Sequence, residues 1–98
     1  MRVKILEEAE REIEEAGRYY DDLAAGLGTR FRAEVWSVLR WVREHHDVAP
    51  VRPKGYRRVN CQVFPYYIAY VEWADVIWVL AVAHARRRPE YWSASVMR

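Results

Sequence analysis

The sequence has one cysteine, Cys61, among 98 residues, too few for an internal disulfide, so a reducing cytoplasm is its natural setting. Long apolar runs are missing as well: the longest, Val76 to Ala83, falls far short of the roughly 20 residues that a membrane helix needs. Met1-Arg2-Val3-Lys4-Ile5-Leu6 runs straight into two glutamates, so the apolar stretch of a signal peptide is not expected. Glycine and proline number four each, and no glycine-rich loop of the phosphate-cradling kind occurs. A CxxC pair and a Ser-His-Asp grouping are absent too. These absences leave a chain for which no cofactor, no metal and no membrane association are expected. At 98 residues it has room for one domain over 1–98, and with 52% hydrophobic residues it is not disordered.

Aromatic residues are abundant instead, with five Trp and seven Tyr. So small a core does not house them all, and some of this surface awaits another use. The net charge of +2 conceals an asymmetry. Residues 1–50 carry 8 Lys/Arg against 11 Asp/Glu, or −3, whereas residues 51–98 carry 8 against 3, or +5. A basic half of this size suits an anionic partner, although an ordinary solvated basic face accounts for it equally well.

Val3 to Leu6 reads as a short strand. Ala9, Ile13, Ala16, Tyr20 and Leu23 then fall on one helical stripe, and six glutamates between Glu7 and Glu15 load its first turns as a solvated acidic face. Gly26-Leu27-Gly28 ends that helix, and Thr29 is the expected N-cap of the next. Phe31, Val35, Val38, Leu39 and Val42 form the second buried stripe, with Trp36 and Trp41 off it. The short link between the helices predicts an antiparallel hairpin. The second helix ends around His45-His46-Asp47, and Pro50 and Pro53 keep the next stretch from being helical. Three strands follow: Tyr56–Val63, interrupted by Phe64-Pro65; Tyr66–Val71; and, after Trp73-Ala74-Asp75, the apolar run Val76–Ala83 as the most central strand. The expected fold is α+β, in the order β-α-α-β-β-β, with a helix hairpin on one face of a small, mainly antiparallel sheet.

Chemistry concentrates in the second half. Arg57 and Arg58 are adjacent on a strand and so point to opposite faces. Arg86-Arg87-Arg88 follows the last strand, with His84 at that strand's end and Tyr91-Trp92 just beyond. Guanidinium groups bind phosphate in bidentate fashion, aromatic rings stack on bases, and histidine exchanges protons near neutral pH. Arg57, Arg58, His84, Arg86 and Tyr91 are therefore the candidate catalytic set of an RNA-cleaving site, and Arg87, Arg88 and Trp92 are candidate contacts to the nucleic acid or target. Against this, three arginines at a strand exit also describe a solvated turn, a histidine ending an apolar strand is commonly a structural residue, and Tyr91 and Trp92 also suit a cap on the core. The adjacent His45 and His46 at a helix end diverge too readily for a metal site, and Cys61 reads as a small buried hydrophobe.

Phe64-Pro65-Tyr66-Tyr67-Ile68-Ala69-Tyr70, Ile77 through His84, and Arg87-Arg88-Pro89-Glu90-Tyr91-Trp92 together resemble the RelE/ParE superfamily of bacterial toxins, more narrowly its plasmid-stabilisation, ParE-like branch. The first half is similar too, in the helix ending at Tyr19-Tyr20 and in Gly26-Leu27-Gly28 before Phe31 and Glu34-Val35. The resemblance implies the toxin of a type II toxin–antitoxin pair in a bacterial cytoplasm, held inactive in a hetero-oligomer with a protein antitoxin. ParE-like members are directed at DNA gyrase. RelE-like members cut mRNA in the ribosome, with basic residues on the sheet and a tyrosine near the carboxyl end. Tyr67 stands where nuclease members often carry an arginine, and Trp92 stands where they carry the late tyrosine, which favours the gyrase-directed branch. The mRNA endonuclease is the alternative, and a member that retains only partner binding is the third reading.

Overall fold

The computed structural model describes residues 1–96. Strand β1 (Arg2–Ile5) leads into helices α1 (Glu7–Leu23) and α2 (Leu27–Glu44), followed by β2 (Arg57–Asn60), β3 (Tyr66–Trp73), β4 (Val76–His84) and a last helical turn, α3 (Ser93–Val96). The four strands lie in the order β1-β4-β3-β2. β1 pairs parallel with β4, while β2–β3 and β3–β4 are antiparallel, so the meander is present and β1 joins it from the far end. This is the expected β-α-α-β-β-β plan with one turn of helix added. β4 is an inner strand, as its two apolar faces require.

The helix hairpin covers one face of the sheet. Ala9, Ile13 and Ala16 of α1 and Phe31, Val35 and Leu39 of α2 pack on Ile68, Val79 and Val82. At one end Tyr20, Phe31, Phe64 and Tyr66 form an edge-on aromatic cluster, with ring centroids 4.8 Å apart for Tyr20–Phe64 and 4.9 Å for Phe31–Tyr66. Two glycines set how closely the helices approach. A Cβ on Gly28 would lie 2.2 Å from the Gly17 carbonyl oxygen, and one on Gly17 would meet the Arg32 guanidinium at 2.4 Å.

The opposite face has a second core of Tyr67, Ala69, Leu80, Ala81 and Ala83, closed by Tyr56 and Trp92. Ala69 pairs with Ala81 and Tyr70 with Val79, which leaves Leu80 as the extra residue of a bulge. Residues following β4 fold back over this face. Surplus aromatics remain outside both cores: Trp36 is 51% exposed, Trp73 71% and Tyr19 58%.

Three local expectations are corrected. Thr29 is not an N-cap. α2 begins at Leu27 after Gly26, whose φ of 85° is left-handed, and the Gly28 N–H donates to Asp21 Oδ1 at 2.8 Å. The carboxylate serving this helix end therefore comes from α1, across the hairpin. Tyr56–Val63 shortens to Arg57–Asn60 because the N–H groups of Gln62, Val63 and Phe64 donate to the Glu34 carboxylate at 3.0–3.2 Å rather than to a ladder. And the acidic run of α1 is not wholly solvated, for Glu12 turns inward, as described below.

Glu34 yields a prediction of its own. Burial pushes its pKa up, but the three backbone N–H groups outweigh that and hold it below the ordinary carboxylate range. A depressed folded-state pKa adds stability that is present above the unfolded-state value and is lost as pH falls through the folded one. Glu34→Gln is expected to lower stability by about 1.5 kcal/mol near neutral pH. The difference from the wild type should shrink steadily once pH drops below the ordinary carboxylate range, as read by urea unfolding at a series of pH values. A pH-independent difference would contradict the assignment.

Candidate functional site

Strand alternation separates Arg57 from Arg58, as their adjacency requires. Arg57 pairs with Tyr70, which is buried beneath α2 with Val42. Its guanidinium donates to the Asp47 and Ala49 carbonyls, tying down the segment after α2. Arg58 lies on the opposite face, 3.8 Å over the Tyr67 ring, with Nε donating to Asn60 Oδ1 at 3.2 Å. The Tyr67 hydroxyl in turn accepts from Trp92 Nε1 at 3.1 Å. Trp92 is 5% exposed and meets Tyr56 edge-on at 4.8 Å, so its ring serves the core and offers no stacking face to a target.

The arginine turn is fastened at both sides. His84 ends β4 opposite Tyr66, and its Nδ1 accepts the Arg86 N–H at 3.0 Å. With that lone pair engaged, the neutral ring carries its hydrogen on Nε2. The Arg87 guanidinium stacks 3.7 Å over the Tyr91 ring, and the Tyr91 hydroxyl donates to Glu12 Oε2. Burial, then the bond to Glu12, raises the Tyr91 pKa well above the usual tyrosine range, so Tyr91 stays protonated. On the far side Glu90, at φ 57°, accepts from the Tyr56 hydroxyl at 2.8 Å and lies 3.6 Å from Lys54. Arg86 and Arg88 between these anchors are exposed.

Of the candidate nuclease residues, His84 and Tyr91 line one shallow cleft of about 190 Å³ with Glu12, Tyr19, Tyr66 and Arg87. Arg57 and Arg58 are outside it. A base able to take a 2′-hydroxyl proton needs a free lone pair or a readily ionised group, and neither His84 Nδ1 nor Tyr91 provides one. Cys61 provides no nucleophile either, since burial pushes its thiol up to about 12. His45 stacks on Trp41 while His46 Nδ1 contacts Glu72, so the two diverge. No group of three or more His, Cys, Asp or Glu residues able to hold a metal occurs among the described residues.

Sequence reasoning missed a groove of about 750 Å³ along β1. β1 is an edge strand, and the groove straddles it, walled by Trp36, Arg40 and Arg43 of α2 on one side and by Lys4 and Trp78 on the other. Lys4 sits 5.3 Å over the Trp78 ring. The signal was present in the off-stripe position of Trp36, four residues before Arg40, but the parallel pairing of β1 with β4 that makes this edge was not legible. No helix among the described residues is long and apolar enough to cross a membrane.

The comparisons agree with this geometry. A solved structure described as the chromosomal ParDE TA system from P. aeruginosa is similar, with a TM-score of 0.67 at 15% identity, covering 88% of this chain and 97% of that one. No curated protein sequence matches significantly. The family model described as the ParE toxin of the type II toxin-antitoxin system parDE matches residues 3–89. The chain thus belongs to the ParE toxin family and is a toxin of the type II toxin–antitoxin class, a membership that implies a cognate antitoxin.

Proposed function

We propose that the protein arrests bacterial growth by poisoning DNA gyrase and is held inactive in the cytoplasm by its antitoxin in a hetero-oligomer. The family match over residues 3–89 carries this reading. The scatter of the nuclease candidates supports it, because Arg57 and Arg58 point to opposite faces and Tyr91 is engaged by Glu12. The antitoxin lies along the β1 groove. A segment in extended conformation adds to the free strand edge, sets an apolar side chain against Trp36 and places acidic residues near Lys4, Arg40 and Arg43. Wall charge favours such a segment, with three cations against the single acid Glu10 among the described lining residues.

Brief induction in a bacterial host, followed by labelled incorporation, tests the target. Gyrase poisoning gives filamentation, DNA damage and a delayed loss of synthesis. An immediate fall in protein synthesis would instead establish the mRNA endonuclease, and healthy growth with folded protein would leave only partner binding.

A further inference from the structure

β1 pairs with β4 through Val76–Val79, and the seam closes with the Leu6 N–H donating to the Val79 carbonyl at 3.0 Å. Beyond it, among the described residues, the outer edge of β4 has no strand beside it. The Val82 N–H donates instead to Glu12 Oε1 at 3.0 Å, while Glu12 Oε2 accepts the Tyr91 hydroxyl. One half-buried carboxylate thus completes the edge of a central strand and holds the segment that crosses the sheet after it. Five other glutamates share this stretch of α1, and nothing in the sequence sets Glu12 apart from them. Burial raises its pKa against these two hydrogen bonds, and Arg87, stacked on Tyr91, supplies opposite charge nearby.

We propose that Glu12 is a positioning residue, which by holding the Val82 N–H and the Tyr91 hydroxyl on its two oxygens fixes the Arg86-Arg87-Arg88 turn in the orientation that meets the target. The role of the turn rests on the toxin reading above, whereas the latch itself stands on the geometry. With the turn leaving β4 at His84 on one side and held on the other by Tyr91 on α1 and by Glu90 on Tyr56 and Lys54, the exposed Arg86 and Arg88 are presented from a chain fixed at both ends. A fixed guanidinium meets an anionic surface with less ordering cost than one on a free loop.

The test uses the purified protein for amide hydrogen exchange and an inducible host for toxicity. Glu12→Leu keeps side-chain bulk and removes both bonds. Exchange at residues 85–94 should rise about tenfold, with β3 and α2 unchanged, and host survival on induction should rise by a similar factor. Glu12→Gln retains both contacts, its amide oxygen accepting from Val82 and its amide nitrogen donating to the Tyr91 oxygen, and is expected to restore exchange and toxicity to near wild-type levels. Tyr91→Phe removes one bond while keeping the ring under Arg87, and it carries the test if Glu12→Leu does not fold. Unchanged exchange at 85–94 in Tyr91→Phe and Glu12→Leu would refute the latch. Raised exchange with undiminished toxicity would refute the positioning role. A wild-type protein that does not arrest growth would overturn the toxin reading instead, and the exchange data would still decide the latch.

Discussion

Trp36→Ala is expected to weaken antitoxin binding by about two orders of magnitude, measured by calorimetry with the separated partners. The indole is 51% exposed in the free toxin and lines the β1 groove, where an extended segment would cover it. A large aromatic at the centre of an interface is the kind of residue whose truncation costs about 2–4 kcal/mol, and each 1.4 kcal/mol is about a factor of ten. Reversing the rim charges with Arg40→Glu and Arg43→Glu should act differently, slowing association and flattening its dependence on salt. Neither change touches the buried stripe Phe31, Val35, Leu39 and Val42, so the fold should survive. Tight binding retained by Trp36→Ala would place the antitoxin elsewhere and leave the family assignment intact.

Gly28→Ala should be the most destabilising single-methyl change in the helix hairpin. The added Cβ would fall 2.2 Å from the Gly17 carbonyl oxygen and 2.5 Å from the Asp21 carboxyl, the group that also accepts the Gly28 N–H. Because the nearest obstacle is main chain, relief requires α1 and α2 to move apart, which loosens Ala16, Phe31 and Val35 together. Overpacking of this kind costs about 3 kcal/mol, equivalent to a fall of about 15 °C in Tm for a domain of this size. Two controls separate the mechanisms. Gly17→Ala meets the Arg32 guanidinium, the far end of a flexible side chain, and should cost less. Gly26→Ala meets no atom within 4 Å but sits at φ 85°, so its cost is the left-handed penalty of about 1–2 kcal/mol. Equal losses in all three would contradict the close-approach account.

Periodicity made the layers legible because burial repeats along each element. The stripes Ala9-Ile13-Ala16-Tyr20 and Phe31-Val35-Leu39-Val42 and the two-faced apolar run from Val76 are local signals that burial follows, although Leu23, at the end of the first stripe, is 61% exposed. What escaped were contacts between elements distant in sequence. Glu12 looks like its five neighbours until Val82 and Tyr91 arrive from the other end of the chain. Thr29 has the chemistry of a cap, yet Asp21 reached the helix end first because Gly17 and Gly28 let the helices close. The same holds for the site. Adjacency told that Arg57 and Arg58 part, but not that Arg57 would be occupied by the Asp47 and Ala49 carbonyls while Arg58 covers Tyr67. Tyr91-Trp92 read equally as surface chemistry or as a cap on the core, and the bulge-bearing face beside them takes Trp92 into its core.

Gyrase poisoning is tested most directly with purified toxin, DNA gyrase, ATP and relaxed plasmid. Supercoiling is expected to be inhibited, with cleaved plasmid accumulating in proportion to toxin, and adding the antitoxin should reverse both. Unimpaired supercoiling at a large excess of folded toxin, together with cutting of mRNA on ribosomes, would contradict it.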